Sequence, residues 1–276
     1  MITFPNSKIN LGLNIIRKRS DGFHDIETVF YPVPLKDAVE VIEKNNPSSQ
    51  PGVHFSMSGI PIAEDPQNNL CVKAYRLLKN NFPVLPAIQL HLHKVIPMGA
   101  GLGGGSADGA FTLLLLNKKF NLGLTKEQLF NYALQLGSDC PFFILNKPCF
   151  AAGRGEILEP INIDLSAYKI IIVHPGIHVS TAAAFANIRP ALPGKSISEI
   201  INNPVSTWKA AMKNDFEGTV FSQYPEIKSI KEKLYNAGAV YASMSGSGSA
   251  VFGLFEKKQE VALSFPENYF VTMIKR

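Results

Sequence analysis

The chain has 276 residues, nearly half of them apolar, which suits one large globular domain or two smaller ones and excludes a largely disordered chain. The net charge of +5, from 27 Lys plus Arg against 22 Asp plus Glu, is small and evenly spread, and no continuous basic face with interleaved aromatics marks a nucleic-acid partner. No apolar run reaches the roughly 18 residues of a membrane span and no secretory leader opens the chain; Cys71, Cys140 and Cys149 lack metal-ligand spacing, so reduced thiols in a cytoplasmic protein without membrane contact are expected.

Residues 8 to 16 alternate, with Ile9, Leu11, Leu13 and Ile15 on one face and Lys8, Asn10, Gly12 and Asn14 on the other. That pattern predicts a half-buried strand with Lys8 on its exposed face. Ser20-Asp21-Gly22 reads as a turn, and strands follow near residues 26–33 and 39–43. A polar loop is expected over 45–52 and a helix over 69–82. Ile88, Leu90 and Leu92 alternate with Gln89, His91 and His93, predicting a strand that runs into Pro97 and a glycine-rich stretch. A helix is expected over 107–118. Thr125 with Gln128 forms a capping-box signature for another, which Gly137 ends. A boundary is expected near 150–165, dividing the chain into 1–155 and 156–276. Beyond it the pattern predicts a strand over 168–173, a helical region broken by Pro190, Pro193 and Pro204, and a helix over 226–237. Strands over 240–244 and 250–255 close the reading, joined by Ser245-Gly246-Ser247-Gly248-Ser249. Strands and helices alternate without regular βαβ order, which favours an α+β fold over a doubly wound α/β one.

The strongest chemical signal is Pro97-Met98-Gly99-Ala100-Gly101-Leu102-Gly103-Gly104-Gly105-Ser106-Ala107. Glycine permits positive φ and close backbone approach, so successive N–H groups can converge on an anion. The helix that follows directs its positive end at the same phosphate, and Ser106 can add a hydroxyl. A Walker A loop is excluded because no Lys-Ser or Lys-Thr follows the last glycine. Gly99, Gly101 and Gly104 satisfy dinucleotide spacing, but the acidic residue about 20 positions on, Glu127, falls at a helix start and not at a strand end. Neither His-Arg-Asp nor Asp-Phe-Gly occurs, so this is no protein kinase.

The same stretch resembles the ATP loop of the galactokinase, homoserine kinase, mevalonate kinase and phosphomevalonate kinase superfamily, the GHMP kinases. Lys8-Ile9-Asn10-Leu11, Asp21-Gly22-Phe23-His24, Leu136-Gly137-Ser138-Asp139-Cys140-Pro141-Phe142, His174-Pro175-Gly176 and Ser245-Gly246-Ser247-Gly248 stand in the order of one member. That member phosphorylates a cytidine-diphosphate methylerythritol in the non-mevalonate isoprenoid route. The resemblance covers nearly the whole chain and implies a two-domain fold with the active site in the cleft between N- and C-terminal domains. It implies Asp139 as catalytic base with Lys8 as its partner, Asn69 and Lys94 near the adenine of ATP, and residues 97 to 107 around the phosphates. Gly246 and Gly248 belong to the loop that closes the site. Asn10, Phe23, His24, Thr181 and Phe185 would bind the substrate, the two phenylalanines holding the base and His24 its edge. Where Phe23 stands the family often has tyrosine, so the ring is kept and a hydroxyl lost.

The residues by themselves agree in part. Asp139 follows a helix end at Gly137 and precedes Pro141, so it either serves catalysis or caps a new helix. Mg2+ is expected with ATP, but no carboxylate cluster is assigned to it. A monomer or homodimer is expected. The rival readings are a non-catalytic nucleotide-binding regulator, an RNA-binding module suggested by the basic pI, and another superfamily kinase acting on homoserine or mevalonate.

Overall fold

Alternating apolar residues place strands where the sequence predicts them and in several places where it does not. The computed structural model describes residues 1–44, 52–62, 65–186 and 188–275, so the polar loop expected over 45–52 lies outside the described residues except at Gly52. In chain order the strands are β1 (Ile2–Thr3), β2 (Asn6–Lys18), β3 (His24–Lys36), β4 (Ala38–Glu43), β5 (Val53–Gly59) and β6 (Ile88–Lys94), then β7 (Cys149–Gly153), β8 (Ile157–Pro160), β9 (Tyr168–His174), β10 (Tyr241–Met244), β11 (Val251–Glu256) and β12 (Phe270–Ile274). The helices are α1 (Leu70–Asn81), α2 (Gly104–Lys119), α3 (Lys126–Leu136), α4 (Cys140–Leu145), α5 (Thr181–Ala186), α6 (Ile197–Ile200), α7 (Val205–Ala211), α8 (Phe216–Gln223) and α9 (Pro225–Asn236). Mixed strands and helices bear out the α+β class, with β5-α1-β6 a parallel βαβ unit inside an otherwise antiparallel sheet.

The chain folds as two compact units, each described by itself. The first comprises Met1–Ser7, Pro34–Met98 and Gly103–Asn146; the second comprises Lys8–Val33, Gly99–Leu102 and Lys147–Arg276. These units interleave in sequence, whereas the sequence reading sets a single boundary after residue 155.

In the first unit the sheet order is β1-β4-β6-β5, with β5 parallel to β6 and the other pairs antiparallel. Val39, Val41, Leu90 and Leu92 are buried and their neighbours Glu40, Gln89 and His93 lie on the opposite side. Helices α1 to α4 pack on one another, and α1 and α2 reach the sheet through β5 and β4. The α3 capping box forms as predicted, with Gln128 N–H donating to Thr125 Oγ1 and Thr125 N–H to Gln128 Oε1.

In the second unit two four-stranded sheets run β2-β3-β7-β8 and β10-β11-β9-β12. Its core joins Leu13 and Ile15 of β2 to Ile171 and Val173 of β9, Phe216 and Val220 of α8, and Ile227, Ile230 and Leu234 of α9. One expectation fails here. Strand β2 is buried on both faces, since Lys8, Asn10 and Asn14 are 4%, 1% and 4% exposed. The cause is a second layer of polar partners on the Lys8 face.

Candidate active site

Strand β6 delivers the chain into the glycine stretch of the first unit. Helix α2 starts at Gly104, three residues earlier than the sequence pattern suggests, because Gly103 takes a left-handed φ of 70° as its N-cap. Only glycine holds that conformation cheaply, and without a side chain it leaves the cap position bare. The first-turn N–H groups of α2 are therefore offered to an anion. Beside them opens a cavity of about 450 Å³ lined by Phe55, Asn69, Leu70, Met98, Gly105 and Asp108, among others. Asn69 caps α1 through its Oδ1, which accepts from Cys71 N–H at 2.9 Å, so its amide NH₂ is the group it can offer a base.

Lys94 lies on the inner side. Its ammonium is fully enclosed, bound to the Asp37 carboxylate and to Asp108 Oδ2 at 2.7 Å. Asp37 Oδ1 also accepts the N–H groups of Val95 and Ile96, at 2.6 and 2.8 Å. This network ties the end of β6 to the first turns of α2. Lys94 thus reaches the cavity through Asp108 and not with its own ammonium. Burial pushes the Asp108 carboxyl up to about 8, with Asp37 adding to the rise and Lys94 opposing it. Burial alone would lower Lys94, but its two carboxylates outweigh that and hold it charged.

Asp139 occupies the N-cap position of α4 but makes no capping bond with its side chain. Helix α4 packs on α2, and the neighbouring Cys140 thiol bonds the Ser106 hydroxyl. Asp139 is the residue that precedes this contact in the chain. Burial raises the Cys140 thiol to about 12, which keeps it protonated and unreactive.

The second unit holds Lys8. Its backbone N–H donates to Leu102 O at 2.9 Å, fixing it to the glycine stretch. Its ammonium donates to Asn10 Oδ1 at 2.6 Å and lies 4.7 Å from the Phe30 ring centroid. Asn10 Nδ2 donates in turn to Thr28 Oγ1 at 3.0 Å, which settles the amide's orientation. The loop from Ser245 to Ser249 meets the same glycines. Ser245 Oγ donates to Gly101 O at 2.8 Å, and a Cβ on Gly101 would fall 1.9 Å from Ser245 O. Gly246 and Gly248 both have positive φ. Sequence reasoning missed Asn214, whose Nδ2 donates to Met244 O and Gly246 O at 2.8 Å each. It also missed Glu217, which accepts from Met244 N–H and Lys231. Both stand at the start of α8, where polar residues are ordinary, so no spacing betrays them.

The predicted substrate residues gather in this unit with different partners from those expected. The His24 ring stacks on Phe185 with centroids 4.5 Å apart, and Phe185 meets Phe216 edge-on. An imidazole thus covers one face of Phe185, leaving less of that ring for a base. Burial lowers the His24 pKa, with Lys18 adding to the effect, so the ring is neutral near pH 7. Phe23 is 53% exposed and so contributes little to the core. Its N–H donates to Asp21 Oδ1 at 3.1 Å, and the Arg19 hydrogen bond keeps that carboxylate ionised. Thr181 Oγ1 lies 2.9 Å from Ser247 Oγ, linking α5 to the glycine-serine loop. Among the described residues no three His, Cys, Asp or Glu side chains are grouped to hold a metal ion, and no helix is long and apolar enough to cross a membrane.

In the first unit a glycine stretch opens a helix with its first-turn N–H groups uncapped by a side chain, the local arrangement that suits a phosphate. The GHMP kinases N terminal domain matches residues 69–147, and the GHMP kinases C terminal domain matches residues 196–269. A solved 4-(cytidine 5'-diphospho)-2C-methyl-D-erythritol kinase aligns with a TM-score of 0.79 at 32% identity, over 92% of this chain and 90% of that one. A homoserine kinase from Cytophaga hutchinsonii aligns with a TM-score of 0.67 over 92% of this chain and 84% of that one, but at 17% identity it shows the shared fold alone. The 4-diphosphocytidyl-2-C-methyl-D-erythritol kinase of Bacteroides fragilis is 55% identical over 95% of this chain and 94% of its own length. The chain therefore belongs to the 4-diphosphocytidyl-2-C-methyl-D-erythritol kinase family of GHMP kinases, and it is an ATP-dependent small-molecule kinase.

Proposed function

We propose that this kinase transfers the γ-phosphoryl group of ATP to the 2-hydroxyl of 4-diphosphocytidyl-2-C-methyl-D-erythritol. The observation that supports the chemistry is the start of α2 at the glycine stretch, with Ser106 in its first turn and bonded by Cys140, the residue that follows Asp139. Substrate identity rests on the relative at 55% identity and on the exposed Phe23 ring beside His24.

Phosphoryl transfer asks the protein for positioning and charge stabilisation more than for covalent chemistry. The α2 N–H groups and Ser106 hold the phosphates, and the cavity lined by Asn69 and Met98 takes the base and ribose. Asp139 accepts the hydroxyl proton. The freed oxygen bonds to the γ-phosphorus as the bond to the ADP oxygen breaks. Lys8, oriented by Asn10, stabilises the negative charge that grows on the attacking oxygen. Magnesium bound with ATP would neutralise charge on the phosphates, and the Ser106 hydroxyl in the first turn of α2 is the side chain that would reach it. Phe23 takes the cytosine face and His24 its polar edge.

The test is a coupled ADP-release assay with the cytidylyl substrate, homoserine and mevalonate. The reading expects turnover with the first alone. Turnover of homoserine or mevalonate in its place would reassign the chain to another branch of the superfamily.

A further inference from the structure

The charged side chains around Phe23 have no part in the chemistry above, and they are not equivalent. Arg17 pairs with Asp25, while Arg19 binds Asp25 at 3.0 Å and Asp21 at 2.9 Å. Both guanidinium groups are occupied by carboxylates. Arg154 differs. It stands in the turn between β7 and β8, and the pairing of Ile26 with Gly153 brings that turn alongside the start of β3. Its nearest carboxylate oxygen, Glu156 Oε1, is 3.6 Å from Nε, beyond hydrogen-bond distance. The other oxygen of Glu156 is taken by the backbone N–H of Arg154 itself at 2.6 Å. The guanidinium carbon lies 4.8 Å from the centroid of the Phe23 ring, and the side chain is about one-third exposed.

We propose that Arg154 is a specificity-determining residue that binds the diphosphate of the cytidylyl substrate while backing the Phe23 ring that takes its base. The inference rests on the substrate reading above. A guanidinium can do both because its plane stacks on an aromatic face while its edge keeps donors in a fork that matches phosphate oxygens. With one ring face against Arg154, the other is left for the pyrimidine. The spacing suits a ligand in which a base and a phosphate are joined through a ribose. It offers nothing to an alcohol that carries neither, such as homoserine or mevalonate.

The experiment measures KM for the cytidylyl substrate, KM for ATP and kcat in the parent enzyme, Arg154→Ala and Arg154→Lys, with thermal melts as a check on folding. Removing a charge-assisted hydrogen bond to a bound phosphate raises the cytidylyl KM by roughly 10- to 100-fold in Arg154→Ala. KM for ATP and kcat at saturation stay near parent values. Arg154→Lys recovers only part of the loss, since a point charge replaces the planar fork. An unchanged cytidylyl KM in Arg154→Ala overturns the proposal, and so does a parallel rise in both KM values, which marks a structural role. Full recovery by Arg154→Lys overturns the stacking geometry. A parent enzyme with no turnover of the cytidylyl substrate removes the substrate reading and this proposal with it.

Discussion

The proposed nucleotide cradle of the first unit and the aromatic-arginine patch of the second are built on opposite principles. Around the cradle the polar groups are buried and bound to one another: Asp37, Lys94 and Asp108 are 1%, 1% and 2% exposed, and they bind one another and the backbone that leads into the glycines, with Asp108 Oδ1 alone of their oxygens left without a hydrogen bond. Around the patch, Phe23 is half exposed and the ion pairs of Arg17 and Arg19 sit at the surface. The difference follows the task. A phosphate cradle works through backbone N–H groups, whose direction must be fixed from below. A base-stacking site works through side-chain faces, which must be open. Changes to the buried Asp37–Lys94–Asp108 network therefore disturb geometry and stability together, whereas changes to the patch alter recognition and leave the fold intact.

Asp139→Asn gives the largest effect expected. It keeps size but loses charge and proton acceptor, and a positioned base is worth roughly 10²–10⁴-fold in rate. The fall is expected in kcat, with ADP affinity nearly unchanged by calorimetry. A variant that keeps most of its turnover would remove Asp139 from the chemistry. Lys8→Met is expected to lower kcat in the same sense, and its burial makes the melting temperature a necessary companion measurement.

The glycines separate fold from function. Gly103→Val forces a branched side chain into a φ of 70° and is expected to abolish ADP binding, with some loss of stability. Gly105→Ala is the cleaner probe. Its Cβ would meet nothing nearer than Met98 Cε at 3.8 Å, so the fold accepts it. Weaker ADP binding at an unchanged melting temperature would show that phosphate approaches this backbone closely. Unchanged binding would move the phosphates elsewhere.

Phe23→Ala probes the patch. Stacking of a base on an aromatic ring is worth about 1–3 kcal/mol, so the cytidylyl substrate is expected to weaken roughly 5- to 150-fold. ADP affinity and melting temperature are expected to hold, because the ring is largely outside the core. Equal loss for both ligands would make Phe23 a structural residue.

The smallest expected effect is a pH dependence. Folding holds a proton on Asp108 up to about pH 8, whereas an unfolded aspartate releases it near pH 4. Between about 4 and 8 the folded state binds more protons, so this group's contribution to stability is full below that window and declines as pH rises through it. Asp108→Asn removes the contribution, and its melting temperature is expected to fall less than the parent's from pH 5 to 8. Parallel curves would show that Asp108 is ionised throughout.

The sequence carries much of this architecture because backbone-built features leave periodic marks. The glycine stretch, the Thr125–Gln128 capping box and the alternation of β6 all stand where local residues alone place them. The burial of Lys8 is illegible, since alternation describes one strand and not the loop from Ser245 and the Thr28 hydroxyl that cover its polar face. Strand β5 does alternate, with Val53, Phe55 and Met57 more covered than their neighbours His54 and Ser56, but it follows a polar run and its residues pair with partners 35 positions on, Val53 with Ile88. Arg154 has no local signal at all. Its meaning comes from the β3–β7 register, which sets a turn far along the chain beside Phe23.

The central claim is that the γ-phosphoryl group moves intact from ATP to an alcohol of the cytidylyl substrate. Phosphorus-31 NMR of the chain with magnesium, ATP and that substrate tests it directly. The expected spectrum gains ADP and one new phosphomonoester in equal amounts, with the substrate's own diphosphate unbroken. Inorganic phosphate in place of the monoester, or no ADP at all, would contradict the account.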